Sequence, residues 1–327
     1  MYVLPMQHPL TCLCLAGLGL LAAAPASAAP SAKPGAAQTA KAGATQAKPS
    51  PAPAARAESR LEVSTHKPRP GDPVLVTVTG VERAPKGTGG RVPLVFFQVR
   101  QGWQAIFAVP LDDSPPEIKV VLTSPALSET LIVTERKWAE EQVKIDPEMA
   151  EPPADKRKLI DGDNAAIIEA LRDREPPRFQ SSFTKPSGSQ TSPYGAWRTL
   201  NGGYRSRHLG LDFGARKATP VRSIQDGRIA LVRDGFLTGG TVVVTHGAGL
   251  ASSYFHLDDI KVAVGDTIKR GDTLGKVGMT GRTTGPHIHV GVWVPGGFID
   301  PDAFFRLRIG PPAAPAPNAA TSSAKNR

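Results

Sequence analysis

The chain has 327 residues, enough for two domains with linkers and too many for one small domain. It carries 39 Lys and Arg against 29 Asp and Glu, a formal net charge of +10 that favours an anionic polymer as partner. The only cysteines, Cys12 and Cys14, lie in an N-terminal apolar run, so the rest of the chain has no disulfide and no cysteine metal site.

That apolar run, Pro9 to Ala24, is followed by Ala26-Ser27-Ala28. Residues 1–28 therefore read as an export signal cleaved after Ala28, although no Lys or Arg precedes the run. The run is short for a membrane anchor, so no transmembrane anchor is expected after cleavage. The expected location is the periplasm or cell envelope of a bacterium. Residues 29–58 are rich in Ala, Pro and Lys, cannot bury a core, and read as a disordered linker.

Residues 59–136 change character. The runs at 73–78, 92–97, 104–109, 118–122 and 131–133 are short and β-type, with Gly, Pro and Asp between them at hairpin-like intervals. They predict a small β-sandwich with no cluster of ionisable residues. Residues 137–181 form a charged connector interrupted by Pro147, Pro152 and Pro153, with one short helix predicted from Asp163 to Leu171. Glu140, Glu141, Asp146, Glu148 and Glu151 give it carboxylates that could approach a catalytic site from outside. A flexible spacer is the simpler account. Residues 182–306 read as many short strands without a helix, and 307–327 as a disordered Pro/Ala/Ser tail.

Five of the seven histidines fall between Gly203 and Val292. His287 and His289 are two apart among β-branched and small residues, so on a strand both face one side, with Cα atoms roughly 7 Å apart. One can then ligate a metal while the other faces the same cavity. His208 and Asp212 are four apart. Gly210 and Gly214 argue against a helix there, and a straight strand would hold the pair about 13 Å apart, too far for one ion. A bent entry into a strand, kinked at Gly210, is the remaining solution. His246 reads as a structural histidine closing a strand. Tyr254 alternates with His256 and reads equally as cleft lining or core. Arg205 and Arg207 flank His208 and read as substrate contacts or a solvated loop.

Phrases from about Ser182 to Phe305 carry a specific resemblance. They include Pro193-Tyr194-Gly195, His208-x-Gly210-x-Asp212, Thr219-Pro220-Val221, Asp226-Gly227, Tyr254-x-His256-Leu257, Gly278-x-Thr280-Gly281 and Gly285-Pro286-His287-x-His289. This segment resembles the lysostaphin/LytM-type zinc endopeptidases, which cut peptide bridges in bacterial cell walls. The resemblance implies an all-β chain: a C-terminal β-sandwich of the duplicated-hybrid-motif kind, preceded by a small immunoglobulin-like β-sandwich. It implies that His208, Asp212 and His289 hold Zn2+ and that His256 and His287 are the catalytic histidines. Ile288 stands where leucine is commoner.

Two imidazoles and a carboxylate leave zinc one open position, where a bound water reaches a pKa of about 7. A histidine can orient or deprotonate that water, and another can stabilise the oxyanion or protonate the leaving amine. Which of His256 and His287 does which stays open. No H-E-x-x-H helix is present, which excludes a zincin arrangement with a glutamate base. The expected substrate is the stem peptides and cross-bridges of peptidoglycan, with restraint by an upstream segment or a regulatory envelope protein. Three competing readings fit less well. Nucleic acid binding lacks a recognition helix or aromatic platform. A non-catalytic wall-binding regulator of an amidase would not need an intact ligand set. A barrel-sandwich carrier would not need five histidines.

Overall fold

The structure, a computed structural model, describes residues 58–172, 175–179, 182–186 and 188–310. The expected signal (1–28), all of the expected linker but its last residue, and the tail from 311 on lie outside the described residues. Among the described residues, no helix is long and apolar enough to cross a membrane.

The first part holds β1 (Arg60–Val63), β2 (Pro73–Thr79), β3 (Lys86–Gly89), β4 (Val92–Pro93), β5 (Phe97–Val99), β6 (Gly102–Ala108), β7 (Glu117–Ser124) and β8 (Ala126–Ile132). They form two antiparallel sheets, β1-β2-β6-β5 and β4-β3-β7-β8. Along β7 the side chains alternate, with Ile118, Val120 and Leu122 buried and Glu117, Lys119 and Val121 exposed. That period of two is what a strand with one wet face requires. The inner face meets Val74, Val76, Val78 and Phe107 from the other sheet. β2 and β6 read instead as continuous apolar runs, because both their faces are covered. Their second face contributes Leu75, Ile106 and Ala108 to a core shared with the C-terminal part. Each such aliphatic side chain stabilises by about 1.5–3 kcal/mol when fully buried.

The stretch expected as a connector is built into the fold. Arg136, 14% exposed, donates to Asp72 Oδ1 at 3.2 Å and to Asp300 Oδ2 at 2.6 Å, joining the first sheet to the C-terminal part. β9 (Glu140–Val143) runs parallel to β11 (Trp197–Leu200), which pairs on its other side with β12 (Arg205–Arg207). α1 (Pro147–Ala150) and α2 (Ala154–Leu171) follow β9. The helix predicted from Asp163 begins nine residues earlier, at Ala154. Asp163 does not start it: its carboxylate is buried and accepts from Arg233 Nε at 2.5 Å and Phe236 N–H at 2.8 Å. Ile167 and Leu171 pack on Val243 and Ala251.

The C-terminal part adds β10 (Ser189–Ser192), β13 (Leu211–Gly214), β14 (Pro220–Arg222), β15 (Gly227–Gly235), β16 (Gly239–Gly247) and β17 (Leu250–Asp258). β18 (Thr267–Ile268), β19 (Thr273–Val277), β20 (His287–Val294) and β21 (Gly297–Ile299) complete it. One ten-stranded sheet runs β10-β13-β20-β17-β16-β15-β18, with β14, β19 and β21 attached beside this path. All nine residues of β16 are buried, which accounts for the β-branched run Thr241–Thr245. A single-turn helix, α3 (Pro301–Phe304), interrupts the expected helix-free segment, capped by Asp300. Past it, Leu307 and Ile309 pack on the shared core, so the described start of the expected tail is held.

Candidate metal centre

Antiparallel pairing of β13 with β20 sets Asp212 directly opposite His289, and β17 sets Phe255 opposite His289 from the other side. His208 sits just before β13. Its backbone is pinned by bonds from Gly195 N–H at 2.7 Å and to Ala196 O at 3.0 Å. Between His208 and Asp212 the chain passes so close to β20 that a Cβ on Gly210 would lie 2.6 Å from both His289 Nε2 and Val290 O. Gly210 thus serves at this bend through its missing side chain, and its φ lies outside the positive region.

Three donor atoms converge there. His208 Nε2 lies 3.0 Å from Asp212 Oδ1 and 2.9 Å from His289 Nδ1, and the last two are 3.0 Å apart. All three residues are buried, and they form a group able to hold a metal ion. His208 Nδ1 is 2.8 Å from the Pro193 carbonyl, which can only accept, so that nitrogen carries the proton and Nε2 presents its lone pair. Three such donors about 3 Å apart can close on one ion from one side. A cation at that point would satisfy both the carboxylate and the imidazole lone pairs.

The electrostatics agree. Burial pushes the Asp212 carboxyl up, but the imidazoles of His208 and His289 packed against it outweigh burial and hold the group well below the usual carboxylate range. Burial pushes His289 down to about 4 against the pull of Asp212.

His256 and His287 lie beside these donors, their rings 4.8 Å apart and that of His256 6.4 Å from the His289 ring. His256 Nδ1 donates to Thr280 O at 2.9 Å and His287 Nδ1 to Gly285 O at 2.8 Å. Both Nε2 atoms are therefore acceptors, and that of His287 lies 3.8 Å from Asp212 Oδ2. Burial first, then His287 and His289, push His256 down to about 3, so it is neutral at pH 7. Its φ is +65°, a left-handed backbone rare outside glycine. That conformation, with a shift in the β16–β17 register, breaks the alternation with Tyr254. Tyr254 is fully buried instead, its hydroxyl bonded to Ile224 N–H at 2.9 Å.

Other side chains settle as follows. His246 is buried, bonded to Asp226 O at 2.8 Å and Ser252 Oγ at 2.9 Å. Arg205 pairs with Glu140 at 2.9 Å. Arg207 lies 4.3 Å and 4.4 Å from the ring centres of Trp138 and Trp197 and pairs with Asp112 at 3.2 Å. Arg205 stays half exposed, whereas Arg207 is enclosed, so neither a substrate contact nor a solvated loop describes Arg207. Glu141 is not a carboxylate reaching for the donors either: it pairs with Arg198. Sequence reasoning passed over Arg198, which bonds Asp212 Oδ2, and Phe255, which stacks on the His289 ring at 4.9 Å. Phe255 was legible as the neighbour of His256; Arg198 carries no local signal.

Comparison with known proteins places this geometry. Residues 206–301 match the model of peptidase family M23. A protein of Buchnera aphidicola described as an uncharacterized metalloprotease is 38% identical over 96 residues, 29% of this chain and 26% of that protein. The peptidoglycan DD-endopeptidase ShyB of Vibrio cholerae is 40% identical over 87 residues, 27% of this chain and 20% of ShyB. This chain thus spans about a quarter or less of the length of these curated relatives. A crystal structure from Pseudomonas aeruginosa, provisionally described as a peptidase M23, superposes with a TM-score of 0.59 at 29% identity. It covers 73% of this chain and 95% of that one, so the likeness extends well upstream of residue 206.

Proposed function

On the match of residues 206–301 to peptidase family M23, we propose that this chain is an exported zinc metalloendopeptidase that hydrolyses peptide cross-links of bacterial peptidoglycan. The observation that carries the reading is the convergence of His208 Nε2, Asp212 Oδ1 and His289 Nδ1, with two further imidazole acceptors beside them. The name of the Vibrio cholerae relative supports peptidoglycan as the substrate. The basic charge suits an anionic wall polymer. The apolar run before Ala28 supports export to the periplasm or envelope.

His208, Asp212 and His289 would hold the zinc. When bound, it supplies a Lewis acid and a water acidic enough to attack an amide near neutral pH. The chain's own groups do the rest. The Pro193 carbonyl fixes the His208 tautomer, and Arg198 occupies the second oxygen of Asp212. Thr280 and Gly285 fix the tautomers of His256 and His287, so each turns Nε2 toward the donors. A neutral Nε2 can take a proton from the nucleophile, and the resulting imidazolium can donate to the oxyanion or the leaving amine. The two rings share the pocket, so one can accept the proton while the other steadies charge. Phe255 covers one face of His289 and keeps water from it.

The test is digestion of purified sacculi, with fragments identified by mass spectrometry. New amino and carboxyl termini at a peptide cross-link, absent with Asp212→Ala, are the expected result. Sacculi left intact by a zinc-loaded chain refute the reading.

A further inference from the structure

The donors are backed by ionic contacts that begin outside the family-matched segment. Glu141 lies on β9, opposite Arg198 in the parallel register with β11. Its Oε2 accepts from Arg198 Nε at 3.0 Å and its Oε1 from Ser192 Oγ at 2.7 Å. Arg198 Nη2 donates to Ser192 Oγ at 2.8 Å and also to Asp212 Oδ2. The two oxygens of Asp212 therefore differ: Oδ1 faces His208 and His289, while Oδ2 is taken by a guanidinium.

A fixed positive charge one contact from a cation site opposes the cation. Solvent screens such a charge poorly where it is mostly buried, and the Arg198 side chain is 24% exposed. A guanidinium there has a geometric use, since it stops Asp212 from offering both oxygens. It has an electrostatic cost unless a negative charge sits close behind it. Glu141 is that charge, on the opposite edge of the same guanidinium.

We propose that Glu141 and Arg198 form a counter-charged support that holds Asp212 as a one-oxygen ligand while keeping the centre's net charge suited to a divalent cation, so that the functional unit begins at β9. This rests on the reading that His208, Asp212 and His289 hold zinc. Glu141 touches no reacting group; it is a positioning residue acting through Arg198 and Asp212. The segment long enough to suggest a spacer or a lid is thus a structural part of the centre.

The test is the zinc affinity of the full chain, measured by competition with a chelator. The variants are Glu141→Gln, Glu141→Asp, Arg198→Gln and the double Glu141→Gln/Arg198→Gln, with thermal melts of the metal-free forms alongside. Glu141→Gln keeps the side chain's shape on a sheet-edge strand, so its metal-free form melts with the unaltered chain. Its zinc affinity falls by about 10–100-fold, the usual effect of losing an outer partner of a ligand. Glu141→Asp, which keeps the charge, loses less. In the Arg198→Gln background the Glu141→Gln loss shrinks to about threefold or less, because no guanidinium is left to balance; contacting residues couple in this way. Equal losses in both backgrounds, or no loss in Glu141→Gln, overturn the proposal. So does a metal-free Glu141→Gln that melts well below the unaltered chain, which would assign Glu141 to holding β9. An unaltered chain that binds no zinc overturns the zinc reading itself, a result distinct from all of these.

Discussion

Gly210→Ala perturbs the centre by one methyl group without touching a donor. The added Cβ would sit 2.6 Å from Val290 O, 2.6 Å from His289 Nε2 and 2.7 Å from His289 Cε1. Side-chain carbons keep well over 3 Å from such atoms, so the segment and β20 must part by roughly half an ångström or more. Val290 O is backbone in a strand paired on both sides, with Leu211 and with Tyr254, and cannot swing aside. The imidazole that would have to move instead is a donor whose Nδ1 stands 2.9–3.0 Å from its two partners. Overpacking of this kind costs about 1–3 kcal/mol. For a chain of this size that is a melting midpoint lower by about 2–12 °C. Because both His208 and Asp212 lie on the displaced segment, zinc affinity falls by about tenfold or more, as misplaced ligating geometry predicts. The assay is a chelator competition on the variant, with a melt of its metal-free form. A Gly210→Ala chain that melts with the unaltered protein and binds zinc equally would refute the close approach as the reason for glycine.

Four further outcomes are expected. His256→Ala and His287→Ala keep zinc by elemental analysis yet lose about 10²-fold or more of sacculus hydrolysis, the usual size of an acid–base contribution. Arg136→Met leaves Asp72 and Asp300 without their shared cation and lowers stability by about 3–5 kcal/mol in urea melts, as breaking a buried pair does. In the metal-free chain, acid should weaken the fold. His256 binds its proton at about 3 when folded but near 6.5 when unfolded, so between these values the unfolded state holds more protons. Stability falls as pH drops through that window, and the fall is smaller in His256→Ala, read as urea midpoints at pH 7 and pH 5. A chain beginning near Arg178 loses β9 and the Leu75 and Ile106 packing, so it melts lower and holds zinc more weakly instead of being released from restraint. Faster sacculus digestion by that shorter chain would instead identify the upstream part as an inhibitor.

Much of this was legible in the sequence because the pattern is local. The alternation in β7 and the β-branched run in β16 are both readable as strands from a few residues. Four of the five residues singled out meet because two short phrases, at 208–212 and 287–289, run into β13 and β20, which pair directly, and β17 brings His256 along the other side of β20. What was not legible depends on distant contacts. Glu141 meets Arg198 only because β9 pairs with β11 across 57 residues. Asp163 resembled a helix start until Arg233, 70 residues away, claimed its carboxylate. Arg207 reads from sequence as a substrate contact or a solvated loop because nothing near it shows the two tryptophans that enclose it. The left-handed backbone of His256 defeats period-two counting, which assumes an unbroken strand.

Elemental analysis of the purified chain tests the central claim most directly. The account predicts about one zinc per chain, retained by His256→Ala and His287→Ala and lost from His208→Ala, Asp212→Ala and His289→Ala alike, because a structural or catalytic zinc site needs all its protein ligands. Full zinc content in any two of the last three variants would contradict it.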